Sequence, residues 1–141
     1  MTLTLLSRAG PDYARMVEAL AAAGLPTSDL DEGHAEYFTL ADSAFGGIAR
    51  HGAAGLLRSI VVPADRRGHG TGSALLAALT DHARGVGIGD LWLLTTGAEP
   101  FFARHDFRTA NRDEAPEAIA NTRQFRDLCP ASAVLMHKRL A

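Results

Sequence analysis

The stretch "RRGHGTG" sets Arg66 and Arg67 beside three glycines in five residues, Gly68, Gly70 and Gly72, with His69 and Thr71 between them. Glycine costs chain entropy and is used where the backbone takes unusual angles or where something comes very close to it. A helical pattern follows at once, so the loop sits at a helix N-terminus. There the first N–H groups lack partners and the helix carries a partial positive charge, which together attract phosphate. Successive glycines let several N–H groups face one anion. The two arginines add full charges at the mouth. This spacing points to a pyrophosphate cradle; the alternative is a tight strand-to-helix turn with solvated arginines.

Two common phosphate motifs do not fit. A dinucleotide fingerprint needs G-x-G-x-x-G after the first strand of a βαβ unit. Here Ser73 stands at the third glycine's place and the loop follows a fourth strand. A P-loop ends in G-K-[ST], and no lysine is near.

Other chemically capable residues are scattered. Arg58 interrupts the apolar run "GLLRSIVV" and needs an internal ion pair or a ligand. Ser59 follows it, and strand alternation would put the two on opposite faces. Glu36 alternates with Phe38 and Leu40, facing either a cleft or solvent from an edge strand. His51 and His105 read as surface residues. His34, His51 and His69 have no metal spacing, so no metal is expected. Phe101, Phe102, Phe107 and Trp92 read as core, the phenylalanines alternatively as a pocket wall. Cys129 reads as a buried structural cysteine.

These residues must be held by elements that the pattern also outlines. Thr2 to Arg8 reads as a strand, stopped by Gly10-Pro11, and Pro11 suits a first helical turn. From Asp12 to Ala23, Met16, Val17, Leu20 and Ala23 recur at helical spacing, with Gly24 as C-cap. "LPTSDLDE" is a loop or one short helix. "HAEYFTLA", "AFGGIARHG" and "GLLRSIVV" read as three strands separated by turns, the last closed by Pro63. A helix after the glycine loop buries Leu75, Leu76, Leu79 and Ala83. "DLWLLTT" is apolar throughout, hence a central strand covered on both faces. "AEPFFARH" makes a short helix, "FRTA" a short strand, Glu114 to Leu128 a helix, and Ala131 to Arg139 a closing strand. The order β-α-(α)-β-β-β-α-β-α-β-α-β predicts an α/β (α+β) fold with a mixed sheet and helices on both faces.

Bulk properties narrow the class. At 141 residues the chain fits one domain, 1–141, and can bury a core without staples. A net charge of −2 gives no basic field for nucleic acid or an anionic membrane. No apolar run nears the ~18 residues that span a bilayer, and no signal peptide is evident. One cysteine allows no internal disulfide. A cytoplasmic location is the default expectation.

Arg67-Gly68-His69-Gly70-Thr71-Gly72 matches R/Q-x-x-G-x-G/A and so resembles the acyl-CoA pyrophosphate loop of the GNAT acetyltransferase superfamily. "LLRSIVVP" resembles that family's fourth strand and "AEPFFARHDF" its A-x-x-F-Y-x-x-x-G-F segment. "LLRSIVV", "LLTTGAEPFFAR", "EAPEAI" and "FRDLCPASAVLMHKRL" are similar to the small acetyltransferases of bacterial arsenic-resistance operons. The resemblance implies a mostly antiparallel sheet of six to seven strands, splayed between strands 4 and 5. It implies acetyl-CoA as co-substrate, a small-molecule amine as acceptor, and a monomer or homodimer.

By the same resemblance, Arg67, Gly68, His69, Gly70, Thr71 and Gly72 hold the pyrophosphate. The backbone of Ile60, Val61 and Val62 pairs with the pantetheine arm as an added strand. An N–H near Ile60 polarises the thioester carbonyl. The family's asparagine after the fifth strand corresponds to Thr95. Its tyrosine acid corresponds to Phe102, which cannot donate a proton, so water, a nearby threonine, His105 or no acid at all is left for that role. The glycine of G-F corresponds to Asp106, a departure that matters less than those at Phe102 and Thr95. Arg58 is the first choice for an acceptor's carboxylate, and Cys129 the residue that could meet a thiophilic arsenical. The competing readings are a non-catalytic acyl-CoA sensor on the same fold and a nucleotide- or arsenic-binding accessory protein.

Overall fold

A computed structural model describes residues 2–25, 27, 28, 30, 35–41, 43–63, 70–122, 125 and 133–140. The elements are β1 (Leu3–Leu5), α1 (Pro11–Ala22), β2 (Glu36–Leu40), β3 (Ala44–His51), β4 (Ala54–Val61), α2 (Thr71–Gly85), β5 (Asp90–Thr95), α3 (Glu99–Ala103), β6 (Arg108–Ala110), a 3-10 turn at Arg112–Glu114, α4 (Glu117–Ala120) and β7 (Val134–Arg139). The strands form one sheet in the order β1-β2-β3-β4-β5-β7-β6. All neighbours are antiparallel except β4 and β5, whose parallel pairing needs α2 as crossover.

Each helix is set by its own residues. Pro11 opens α1, where its missing N–H costs nothing, and Asp12 follows in the positively charged first turn. Its C-terminus closes in a Schellman pair: Gly24 N–H donates to Ala21 and Leu25 N–H to Leu20. Met16 and Leu20 are fully buried on the α1 face of the sheet, among Tyr37, Phe45, Leu56, Trp92 and Leu135. On the opposite face α2 buries Leu75, Leu76, Leu79 and Ala83 against Phe38, Ile48, Leu57, Leu91 and Leu93. Each buried leucine contributes on the order of 1.5–3 kcal/mol. Strand β5 supplies Leu91 and Leu93 to one face and Trp92 to the other, as its unbroken apolar run predicts.

Two expectations are corrected. The helix predicted over Glu114 to Leu128 is broken: within the described residues only Glu117–Ala120 is α-helical, after the 3-10 turn. Pro116 lacks an N–H, and it forces the preceding Ala115 to an extended ψ of 138°. The alternation expected through Arg58 and Ser59 fails, because β4 carries a bulge. Phe45 pairs with Val61 and Gly47 with Arg58, so two steps along β3 match three along β4. Ser59 takes up the extra residue at φ +56°. Asp106 adopts φ +71°, the left-handed conformation that explains glycine at this position in the motif.

Candidate active site

Strands β4 and β5 pair only at Ala54↔Asp90, Gly55↔Leu91 and Leu56↔Trp92. Beyond Leu56 the ladder ends and the strands part. The gap is a cleft of about 1180 Å³, lined by 57–62 of β4 and its exit, 93–98 of β5 and its exit, and 70–73 of α2. Ala23, Gly24 and Leu25 at the end of α1 close one side, and Phe101, Phe102 and Arg104 of the α3 segment close another.

The bulge at Ser59 lies in the β4 wall. At a bulge the extra residue drops out of the ladder, so backbone polar groups there are turned away from the neighbouring strand. Ile60 and Val62 pack toward the α2 face and Val61 toward the α1 face. All three line the cleft, as does Thr95 at the end of β5.

At the floor, α2 starts with Gly70 as N-cap at φ +74°, and among the described residues no side chain caps its first turn. A Cβ on Gly70 would meet nothing within 4 Å, so the space over this turn is open. The residue needs glycine's left-handed freedom, not room. Gly72 is different: a Cβ there would touch the Phe101 ring at 3.5 Å and Val62 at 3.6 Å. Helix α2 begins at Thr71, where the glycine spacing predicts it. Of the predicted pyrophosphate loop, Gly70, Thr71 and Gly72 line the cleft, while Arg67, Gly68 and His69 lie outside the described residues, as does Cys129.

Phe102 is buried, edge-on to Phe101 at 5.1 Å and to Phe107 at 5.8 Å. It walls the cleft and has no proton to give. Ser73, on the first turn of α2, lines the cleft with its Oγ 2.9 Å from Nε2 of His105. His105 is therefore tied to the cleft wall through Ser73 rather than being a plain surface residue. Glu36 is exposed, which leaves it outside the cleft.

Arg58 is buried within the cleft wall at 7% exposure. Its Nε donates to Ser59 Oγ at 3.4 Å, and its guanidinium carbon stands 5.9 Å from the Tyr37 ring centroid. The sequence reading missed Tyr37 and the bulge. The signal for both was the glycine pair Gly46-Gly47 inside a strand, which marks a bulge or a close approach.

His51 sits at the far end of β3, with Nε2 buried and unpaired. Burial lowers its pKa below the ordinary 6.5, because the charged ring would be poorly solvated. It takes no part in the cleft. Among the described residues no three His, Cys, Asp or Glu side chains gather as a metal site, and no described helix is long and apolar enough to cross a membrane.

Residues 33–109, more than half of the chain, match the model of the acetyltransferase (GNAT) domain. The chain belongs to the GNAT acetyltransferase domain family. It is 40% identical over 63 residues to an amino-acid acetyltransferase of Neisseria meningitidis, a match covering 45% of this chain and 14% of that protein. The chain thus spans a small part of the relative's length. Among solved structures, N-acetylglutamate synthase from Neisseria gonorrhoeae, complexed with coenzyme A and N-acetyl-glutamate, superposes with a TM-score of 0.78 at 21% identity. That superposition covers 100% of this chain and 36% of that one. A GNAT-family acetyltransferase from Staphylococcus aureus gives a TM-score of 0.75 at 13% identity over 99% of both chains. At these identities the structural likeness is one of fold.

Proposed function

We propose that this chain is a single GNAT domain, 1–141, that transfers an acetyl group from acetyl-CoA to the amine of a small carboxylated acceptor of the amino-acid class. The observation that carries the reading is the parting of β4 and β5 above an uncapped α2 N-terminus. This leaves an extended backbone edge and an anion-attracting helix end on one cleft. The residues present fit the co-substrate: N–H groups of Gly70, Thr71 and Gly72 for a pyrophosphate, and the Ile60–Val62 edge for an extended arm.

Acetyl-CoA supplies a thioester whose carbonyl carbon accepts the amine. Ile60 N–H, at the bulge, stabilises the charge that develops on the carbonyl oxygen. Thr95 gives a hydroxyl contact from the opposite strand. Holding both reactants in one cleft replaces a bimolecular encounter, so no covalent enzyme adduct is required. Phe102 shields the acyl group; as the C–N bond forms and the C–S bond breaks, the proton lost by the attacking amine passes through a cleft water or the Thr95 hydroxyl, acting as a relay, to the departing thiolate. Arg58 receives the acceptor's carboxylate through charge-assisted hydrogen bonds. The similarity to a Neisseria amino-acid acetyltransferase supports an amino-acid acceptor. The resemblance to acetyltransferases of arsenic operons adds arsenic-bearing amino acids as candidates, and the cytoplasm remains the default site of action from the single cysteine and ordinary composition.

The apolar Phe102 also favours a second reading, a non-catalytic acyl-CoA sensor. Thiol release from acetyl-CoA with a panel of amino acids, their amides, arsenic-bearing amino acids, polyamines and peptides separates the two. The expected result is turnover with small carboxylated amines. Arg58→Ala should then raise KM for those acceptors by roughly 30- to 150-fold, the ~2–3 kcal/mol of lost charge-assisted bonding, with little effect on acetyl-CoA. Turnover with polyamines or peptides alone would contradict the acceptor class. Binding of acetyl-CoA without thiol release for any amine would leave the sensor.

A further inference from the structure

Arg58 is one end of a row of three residues. Tyr37 pairs with Gly47 across β2 and β3, and Gly47 pairs with Arg58 across β3 and β4. Directly opposed residues share a face of the sheet, and Tyr37 marks this one as the face packed by α1. The middle member contributes no side chain. A Cβ on Gly47 would lie 2.7 Å from both Cδ1 and Cε1 of Tyr37 and 3.4 Å from Cγ of Arg58. The flanking side chains thus lean into the gap from both sides, which brings the Arg58 guanidinium to 5.9 Å from the Tyr37 ring centroid. A cation at that distance is attracted to the ring face.

Tyr37 is itself held. Its hydroxyl donates to the Leu30 carbonyl at 3.0 Å, and its ring meets Tyr13 edge-on at 6.2 Å. On the other side of Arg58, the bulge brings Ser59 Oγ to Nε at 3.4 Å. A long, rotamer-rich side chain in a cleft wall is thereby restrained by a ring at its head and a hydroxyl at its neck. Restraint of this kind lowers the ordering cost when a ligand binds.

We infer that Tyr37 and Gly47 are positioning residues that set acceptor specificity, Tyr37 by holding the Arg58 guanidinium and Gly47 by leaving the gap that lets it do so. The inference rests on the reading of Arg58 as the carboxylate anchor. An arginine plane fixed against a ring presents its donors in a set geometry, which suits a carboxylate and gives an uncharged amide much less.

The test is the ratio of kcat/KM for an accepted amino acid to that for its amide. It is measured for the wild type, Arg58→Ala, Tyr37→Phe, Tyr37→Met and the Arg58→Ala/Tyr37→Met double variant. Tyr37→Phe keeps the ring and should hold the ratio within about twofold. Tyr37→Met should lower it about five- to thirtyfold, through KM for the amino acid, with kcat and KM for acetyl-CoA unchanged. In the Arg58→Ala background Tyr37→Met should change the ratio no further. If Tyr37→Met does not fold, Gly47→Ala, which displaces the Tyr37 ring, carries the same expectation. A ratio that falls in Arg58→Ala but stands unchanged in Tyr37→Met, or in Gly47→Ala when that variant is needed, overturns the positioning role alone. So does a Tyr37→Met effect that adds to that of Arg58→Ala. A ratio unchanged in Arg58→Ala removes the carboxylate anchor, and the positioning role with it.

Discussion

The two ends of the β4/β5 pair are built on opposite plans. At the end where the strands are joined, the strands pair and several polar side chains bond to one another. His137 Nε2 lies 2.8 Å from Asp90 Oδ1, and Arg108 Nη2 lies 3.3 Å from its Nδ1. An arginine only donates, so Nδ1 accepts and Nε2 carries the proton given to Asp90. Trp92 stacks on the same imidazole at 4.2 Å. Arg50 Nη1 donates to the Val86 carbonyl at 2.7 Å, tying the β3 end to the exit of α2. At the parted end the plan reverses. Among the described residues the first turn of α2 has no side-chain cap, β4 bulges out of its ladder, and β4 no longer pairs with β5. Continuous pairing of β4 with β5 makes the joined end structural, although Nε2 of His51 and Nε1 of Trp92 are buried there without a hydrogen-bond partner among the described residues. The absence of that pairing at the parted end makes that end a place for a ligand.

This contrast can be tested by mutating the two ends in parallel. The largest effect on folding belongs to Leu91→Ala at the joined end. Leu91 is fully buried, and the truncation should cost about 2–5 kcal/mol in chemical denaturation, without altering KM for acetyl-CoA in the folded fraction. The counterpart at the parted end, Thr95→Ala, should stay within about 0.5 kcal/mol of the wild type. Equal destabilisation by both would break the contrast.

A smaller effect is expected from pH. His51, at the joined end of β3, has its folded pKa lowered by burial, so the unfolded chain takes up the proton first. Its contribution to stability is complete above pH 6.5 and is lost as pH falls from 6.5 through the folded-state pKa. The urea midpoint of the wild type should therefore drop over that window, and His51→Gln should flatten the drop. An unchanged pH slope in His51→Gln would remove this residue from the account.

The smallest is Asp106→Gly. Relieving the left-handed backbone, less the entropy cost of glycine, should raise stability by about 0.5–1 kcal/mol. Turnover should be unaffected, as the residue lies beside the cleft wall and not in it. A loss of stability would mean that the Asp106 side chain holds the end of α3.

Most of this was legible from residue pattern. The α2 stripe of Leu75, Leu76, Leu79 and Ala83, the apolar β5 and the glycine start of α2 each carry a strong local signal, and each lies where that signal puts it. What escaped depends on partners distant in sequence. The bulge at Ser59 exists because β4 must match β3 around Gly46-Gly47, and strand alternation read within β4 cannot see that register. Tyr37 meets Arg58 only because Gly47 stands between them. The Ser73–His105 contact spans 32 positions and needs α2 and α3 side by side. The overlong helix from Glu114 was a local error, since Pro116 and its effect on Ala115 were already in the sequence.

The most direct test of the parted end as an acetyl-CoA site is calorimetric titration of acetyl-CoA into the wild type and Gly70→Asp. The backbone at position 70 is left-handed, which aspartate tolerates better than most residues, and a Cβ there meets nothing within 4 Å, so the variant should fold. Its carboxylate would stand where the pyrophosphate is expected. The expected result is saturable binding to the wild type and none detectable to a folded Gly70→Asp. Equal affinity for both proteins would contradict the assignment of this helix N-terminus and cleft to acetyl-CoA.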